Sequence, residues 1–444
     1  MEDTTIRCYE HSSLMFWQNV ILEGNKIYRT TNNPFRMIYE AAVSIKGNAR
    51  ATVFLEPLFT IPQTLYVGFM TLYMLEFGVT LTQVGMITSL GLVVHIIFAL
   101  ISPFITDKLG RRYTTLIFDS IGWGGAMLVW AFAQNIYFFI IAAVFNAFSR
   151  VVGNSWHCLM LEDSEPRIVI HIFNFLHMAA IVAGFFAPIG ALLINRLTLV
   201  PAMRVMLMFS FVSMMALFII RHFFVTETEV GRQKMQQMKG VNIGSVFRSY
   251  VPVFRRILGD RLLIVALFLR SLNFVQFTIR QTFLAVLVTQ RLMFPAEAIA
   301  LFHTLNAIVM LMVLLFITPM LARFTRNWPI SLGIGFHVAA TGVLLLTPAL
   351  NYPLLILSAI FIALGTGIAT PRIDTLVANT IHNEERSVAN AIMMVFILSL
   401  TAPFGYIGGV LSEIDIRLPF IMTLGIFIVC LFMVYVAKQK TAAD

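Results

Sequence analysis

Five polar side chains recur in the stretch "RSLNFVQFTIRQ": Arg270, Asn273, Gln276, Arg280 and Gln281. On a helix they fall within an arc of about 140°. A second stretch carries Asn146, Arg150 and His157 on an arc of about 40°. Guanidinium and amide groups each offer several hydrogen bonds, so two such stripes suit the recognition of a polar or anionic solute. Further polar residues stand inside apolar runs: Gln63, Tyr66, His171, Asn174, His177, His303, Asn306, Arg372, Asp374 and Asn390. Two carboxylates, Glu56 and Asp119, do so as well, and a carboxylate that is alternately buried and exposed can load and release a proton. Glu56 reads either as that proton site or as an interfacial carboxylate at a helix start, with Asp119 as the second candidate. For any single Asn or His, interhelical hydrogen bonding is the simpler role.

The elements that carry these groups follow from composition. Of the 444 residues 59% are hydrophobic and only 12% are charged, too apolar a chain for a water-soluble fold. Its apolar runs are continuous rather than alternating, so it spans a membrane as helices and not as a barrel. Spans are expected near 52–76, 82–105, 113–133, 136–160, 168–193, 202–224, 262–288, 296–321, 328–350, 353–379, 388–412 and 418–437. This organisation divides into an N-terminal segment 1–50, a six-helix unit 51–225, a polar and basic loop 226–261, a second six-helix unit 262–438 and a tail 439–444. Residues 1–50 read either as containing a membrane-surface helix or as a loosely ordered tail, and they lack a cleavable-signal pattern, so the first span is expected to direct insertion.

The net charge of +9 reflects topology rather than nucleic-acid binding. With both termini cytoplasmic, the inner loops hold Lys108, Arg111, Arg112, Arg167, the Arg232–Arg261 cluster, Arg323, Arg326, Arg386, Lys438 and Lys440. The outer loops keep Arg196, Arg291 and Arg417. Cys8, Cys158 and Cys430 have neither disulfide-frame nor zinc spacing. HExxH, GxSxG and phosphate-binding glycine loops are absent, which argues against an enzyme, and no cofactor or metal is expected.

The two halves echo one another. "ISPFITDKLGRR" from Ile101 aligns with "ITPMLARFTRNW" from Ile317, "AAVFNAF" from Ala142 with "SAIFIAL" from Ser358, and "APIG" from Ala187 with "APFG" from Ala402. Near-constant spacing marks a tandem repeat of six-helix units, which places a central site between them near the membrane midplane.

Twelve spans, a central polar loop and "TDKLGRR" at 106–112 resemble the major facilitator superfamily. The family's loop between the second and third spans is filled by Asp107, Lys108, Gly110, Arg111 and Arg112, with Pro103 in place of its leading Gly. The resemblance implies an all-α integral membrane fold of two pseudo-symmetric six-helix bundles. It also implies a conformational latch: Asp107 would face the N-terminus of the eleventh span, and Arg111 or Arg112 would pair with Glu162 or Asp163. The expected activity is secondary transport of a small polar organic solute, a sugar or organic anion, by proton-coupled alternating access. The alternative is a drug/proton antiporter exporting lipophilic compounds, for which Pro188 in "AGFFAPIGA" is a partial signal. Solute contacts are expected from Gln63, Tyr66, Asn146, Arg150, Arg270, Asn273, Gln276, Arg280 and Asn306. A monomer in the plasma membrane completes the expectation.

Overall fold

The computed structural model describes residues 34–241, 243–321, 327–378 and 386–441, and every regular element among them is a helix. We label the spans in chain order: α1 (Gly47–Glu76), α2 (Leu81–Leu109), α3 (111–131), α4 (Ile136–Leu161), α5 (His171–Leu197), α6 (Leu199–Phe224), α7 (Leu263–Arg291), α8 (297–321), α9 (Asn327–Leu346), α10 (Tyr352–Ala378), α11 (Arg386–Ile414) and α12 (Leu418–Thr441). Among the described residues nine helices are long and apolar enough to cross a bilayer. The shorter apolar helices Glu297–Met312 and Leu418–Val434 belong to α8 and α12, and α3 completes the twelve. A backbone in hydrocarbon must satisfy its own polar groups, which is why apolar runs of this length close into helices.

Local chemistry sets the ends and breaks. Thr80 and Gln83 cap α2 reciprocally, each side chain accepting from the other residue's backbone N–H. Asn135 caps α4 by accepting from Tyr137 N at 3.1 Å. Pro57 breaks α1 just after Glu56, and the glycine-rich run "SIGWGG" widens α3 into a π-turn at Ser120–Gly125.

A helix at Pro34–Ser44 precedes α1, while residues 1–33 lie outside the described chain. Between the bundles run the helices Glu229–Gln237 and Ile243–Gly259. The second is amphipathic. It buries Tyr250, Val253 and Ile257, exposes Val251, Phe254 and Leu258, and donates from Tyr250 Oη to the Leu100 carbonyl of α2 at 3.2 Å.

The α1/α2 turn at Gly78 and the α2/α3 turn at Gly110 mark the two faces of the molecule. Near the Gly78 face the bundles close on each other along α2 and α11. A Cβ at Gly85 would stand 2.4 Å from the Gly405 carbonyl oxygen and 2.8 Å from Gly409 Cα. Such approach requires glycine, as in small-xxx-small packing of membrane helices. Ser89 donates to the Ala402 carbonyl and accepts from Tyr406 N at 2.7 Å, and the Glu413 carboxylate accepts from both Thr82 N (3.0 Å) and the Thr82 hydroxyl. Thr71 donates across to the Thr282 carbonyl at 2.7 Å, and Thr304 to that of Gly184 at 3.2 Å. Toward the Gly110 face, one side of α4 is exposed. Gly153 is exposed with nothing within 4 Å of where a Cβ would stand, and His157 one turn on is exposed too.

Candidate functional site

The "TDKLGRR" loop is built around Gly110, whose φ of 82° is cheap only for glycine. It also leaves room for Glu227, since a Cβ there would stand 2.6 Å from Glu227 Oε2. Glu227 accepts from Arg111 N (2.9 Å) and Arg112 N (3.0 Å), capping α3 at the positive end of its dipole. Arg111, buried to 3% exposure, makes a forked contact with Glu162 at 3.0–3.2 Å. Its Nη1 stands 2.9 Å from Asp107 Oδ1, an ion-pair approach too bent for a hydrogen bond. Arg112 instead donates to the His222 carbonyl at 2.9 and 3.1 Å. Asp163 takes no arginine of the loop; it accepts from Asn48 at 3.4 Å.

The network forms one of the pairings expected from sequence, Arg111 with Glu162, and adds Glu227 as the carboxylate at the N-terminus of α3. Its members belong to α2, α3, α4 and the segment after α6, so the loop braces the first bundle and its exit. The side chains at residues 386–390, where α11 begins, lie outside the described residues, as does Asp374.

In the first bundle Asn146 and Arg150 of α4 stand beside His95 of α2. Neither ring nitrogen of His95 makes a hydrogen bond of good geometry, and Asn146 Nδ2 and Arg150 Nε are likewise buried without a partner. Among the described residues no carboxylate pairs with Arg150. The cluster borders the packing between bundles, because Leu92 and Ile96, flanking His95, lie against Leu398, Ala402 and Phe274. Here the geometry joins two residues read from sequence, Asn146 and Arg150, to one that was not.

Closer to the start of α1, Glu56 accepts from Thr60 N and Oγ1 through its carbonyl (3.0 and 3.2 Å), and its carboxylate lies within electrostatic reach of Arg221 and Asp119. Asp119 and Arg221 are both 4% exposed and form an ion pair between α3 and α6. Gln63 is half-buried on α1, whereas Tyr66 is 2% exposed within the apolar core, which removes it from the expected solute contacts.

The α7 stripe splits. Gln276 donates to Asn273 Oδ1 at 3.0 Å, and Asn273 donates to Thr370 of α10 at 3.2 Å, so these amides satisfy one another inside the second bundle. Gln276 and Arg280 border a cavity lined by α7, α9, α10 and α12, all of that bundle. This differs from the expectation that the stripe faces the space between bundles. Arg280 also lies near His303 of α8, which packs on Gly68 of α1. Arg270 and Asn306 are half-buried, and Arg372 donates to the Leu321 carbonyl at 3.0 Å.

Sequence reasoning missed His95, Arg221, Glu227, His337 and Glu413. For His95, Arg221 and His337 the signal was present, an ionisable residue at membrane depth, but none shares a stripe with others. Glu227 and Glu413 read as ordinary loop and end charges until a distant helix terminus is folded onto them.

Twelve spans in two bundles around a polar interior define an integral membrane transporter fold. The profile of the Major Facilitator Superfamily matches residues 57–279 and again 267–443, and the chain belongs to that family. No curated protein matches the sequence itself. Among solved structures, the chain is similar to the nucleoside transporter NupG (13% identity, 88% of this chain and 99% of that one, TM-score 0.66). It is similar too to a bacterial homologue of the iron transporter ferroportin in an inward-facing state (12%, 87% and 98%, 0.65). A POT family transporter in complex with 5-aminolevulinic acid is a third (14%, 90% and 99%, 0.64). At such identities the likeness speaks for the fold.

Proposed function

We propose that this transporter moves a small organic anion between the two bundles by alternating access, coupled to a proton. The observation that carries the reading is Arg150, a half-buried guanidinium without a carboxylate partner among the described residues, whose Nε is buried and unpaired beside the unpaired Asn146 Nδ2 and the His95 ring nitrogens. Unmet buried donors are costly, and a solute carboxylate or phosphate would satisfy them. A neutral sugar would leave the charge unmatched, and a lipophilic drug would leave the hydrogen bonds unmade. Arg270 and Asn306 are the contacts assigned to the second bundle, and Gln63 joins them from α1. Glu56 is assigned the proton.

Loop arginines and lysines favour a cytoplasmic Gly110 face, and the protein is assigned to the cell membrane as a monomer. The test is a panel of organic anions, sugars and lipophilic cations scored by thermal stabilisation of the purified protein. Stabilisation by an anion, lost in Arg150→Gln, supports the reading. Stabilisation by sugars or cations alone, or by anions equally in Arg150→Gln, overturns it.

A further inference from the structure

The cavity inside the second bundle measures about 20 Å³ and is bordered by Gln276 and Arg280 of α7, His337 and Thr341 of α9, Ile362 of α10 and Thr423 of α12. A single water needs about 10–15 Å³ on this measure, so the space admits one water-sized particle and no organic anion. Its polar lining is dominated by a cation. Arg280 Nη1 and His337 Nε2 are buried and have no hydrogen-bond partner. The His337 ring is held flat against Phe427, with centroids 5.0 Å apart and planes 5° from parallel, which fixes where Nε2 points. Gln276 gives one of its two amide N–H groups to Asn273.

Arg280 keeps its charge at any working pH. Among the described residues no carboxylate pairs with it, and the titratable neighbours within its electrostatic reach, His303 and His337, are bases. Arg280 is half-buried, with its Nη1 fully buried, and a charge withdrawn from water without a counter-charge is disfavoured, so an anion from outside the chain would balance it. Size then selects a halide over a carboxylate or phosphate ester. We propose that the cavity is a resident halide site, in which chloride accepts from Arg280 Nη1–H and from the Nε2–H tautomer of His337. Such an ion is a structural counter-ion of the second bundle, held apart from the solute path along α4 and independent of which solute is carried.

The experiment uses the purified full-length protein, with thermal unfolding followed as sodium gluconate is replaced by sodium chloride or bromide at constant ionic strength. Gluconate is too large to enter. A saturable rise in Tm with either halide is expected, about 3 °C at a hundredfold excess over Kd for a chain of this length. Arg280→Gln should abolish the halide dependence. Because that variant can also fold poorly, Thr341→Leu, which fills the cavity and keeps the arginine, provides a second loss of response. Crystals grown in bromide should show one anomalous peak between Arg280 and His337. Equal Tm in gluconate and halide, a halide response retained in both variants, or a bromide peak elsewhere would mean the cavity holds water only, and would overturn the proposal.

Discussion

Glu56, half-buried, and the buried pair Asp119 and Arg221 form a group of two carboxylates and one guanidinium. Asp119 is the direct partner of Arg221, which leaves Glu56 as the member without a cation of its own. With all three ionised the group carries one net negative charge in the bundle interior, and a proton on Glu56 removes it. Glu56→Gln should therefore fold, retain solute exchange and lose gradient-driven accumulation, measured in proteoliposomes with and without a pH gradient; loss of exchange as well would count against a purely coupling role. Asp119→Asn should behave differently, because it strands a buried guanidinium. Removing one partner of such a pair costs about 3–5 kcal/mol, so a sharply lowered Tm is expected, with recovery when Arg221→Met is added. Exposed charges contribute little to pH dependence near neutrality. The side-chain and backbone hydrogen bonds from Arg417 hold the Asp415 carboxyl down to about 2. Whatever stability that pair contributes is present above the ordinary value of 3.8 and is lost only as pH falls through about 2.

Among the elements, α2 and α11 make the closest junction between bundles. Gly85 and Ser89 on α2 face Ala402, Gly405 and Gly409 on α11, and Glu413 at the end of α11 accepts from the first turn of α2. Gly85→Leu should wedge this junction open, since even a Cβ meets backbone at 2.4 Å. A cysteine placed between the bundles near Gly78 should then label faster from that side than in the unsubstituted protein. Unchanged labelling would show that the glycine contact does not hold the gate. Glu413→Gln weakens an exposed, solvent-screened contact, and about a twofold increase in labelling is the expected scale. The spans themselves were legible in the sequence because each is a continuous apolar run ended by a turn or a charge. Their partners were not. Asp107 and Gly110 announce a loop joining two spans, but the carboxylate that caps α3 comes from Glu227, 116 residues beyond Arg111. On α7, helical spacing placed Asn273, Gln276 and Arg280 correctly on one side, and only the packing of α9, α10 and α12 against it turns that side inward.

At the scale of the whole molecule, the bundles join through α2 with α11, α1 with α7 and α5 with α8, while Gly153 and His157 of α4 are exposed. The family profile matching twice along the chain accords with the repeat visible at Ile101 and Ile317, and two like units packed at one end can rock about their shared interface. Thr82 and Glu413 meet at the end of that interface and belong to different bundles. Replacing both with cysteine, Thr82→Cys with Glu413→Cys in a background lacking Cys8, Cys158 and Cys430, places two thiols where the bundles must part for the Gly78 face to open. Oxidation should cross-link them, hold the Gly78 face closed and abolish turnover. A reductant should restore transport. Transport that continues at full rate through the cross-linked protein would mean the bundles do not separate at α2 and α11, and that the pathway opens by some motion other than rocking.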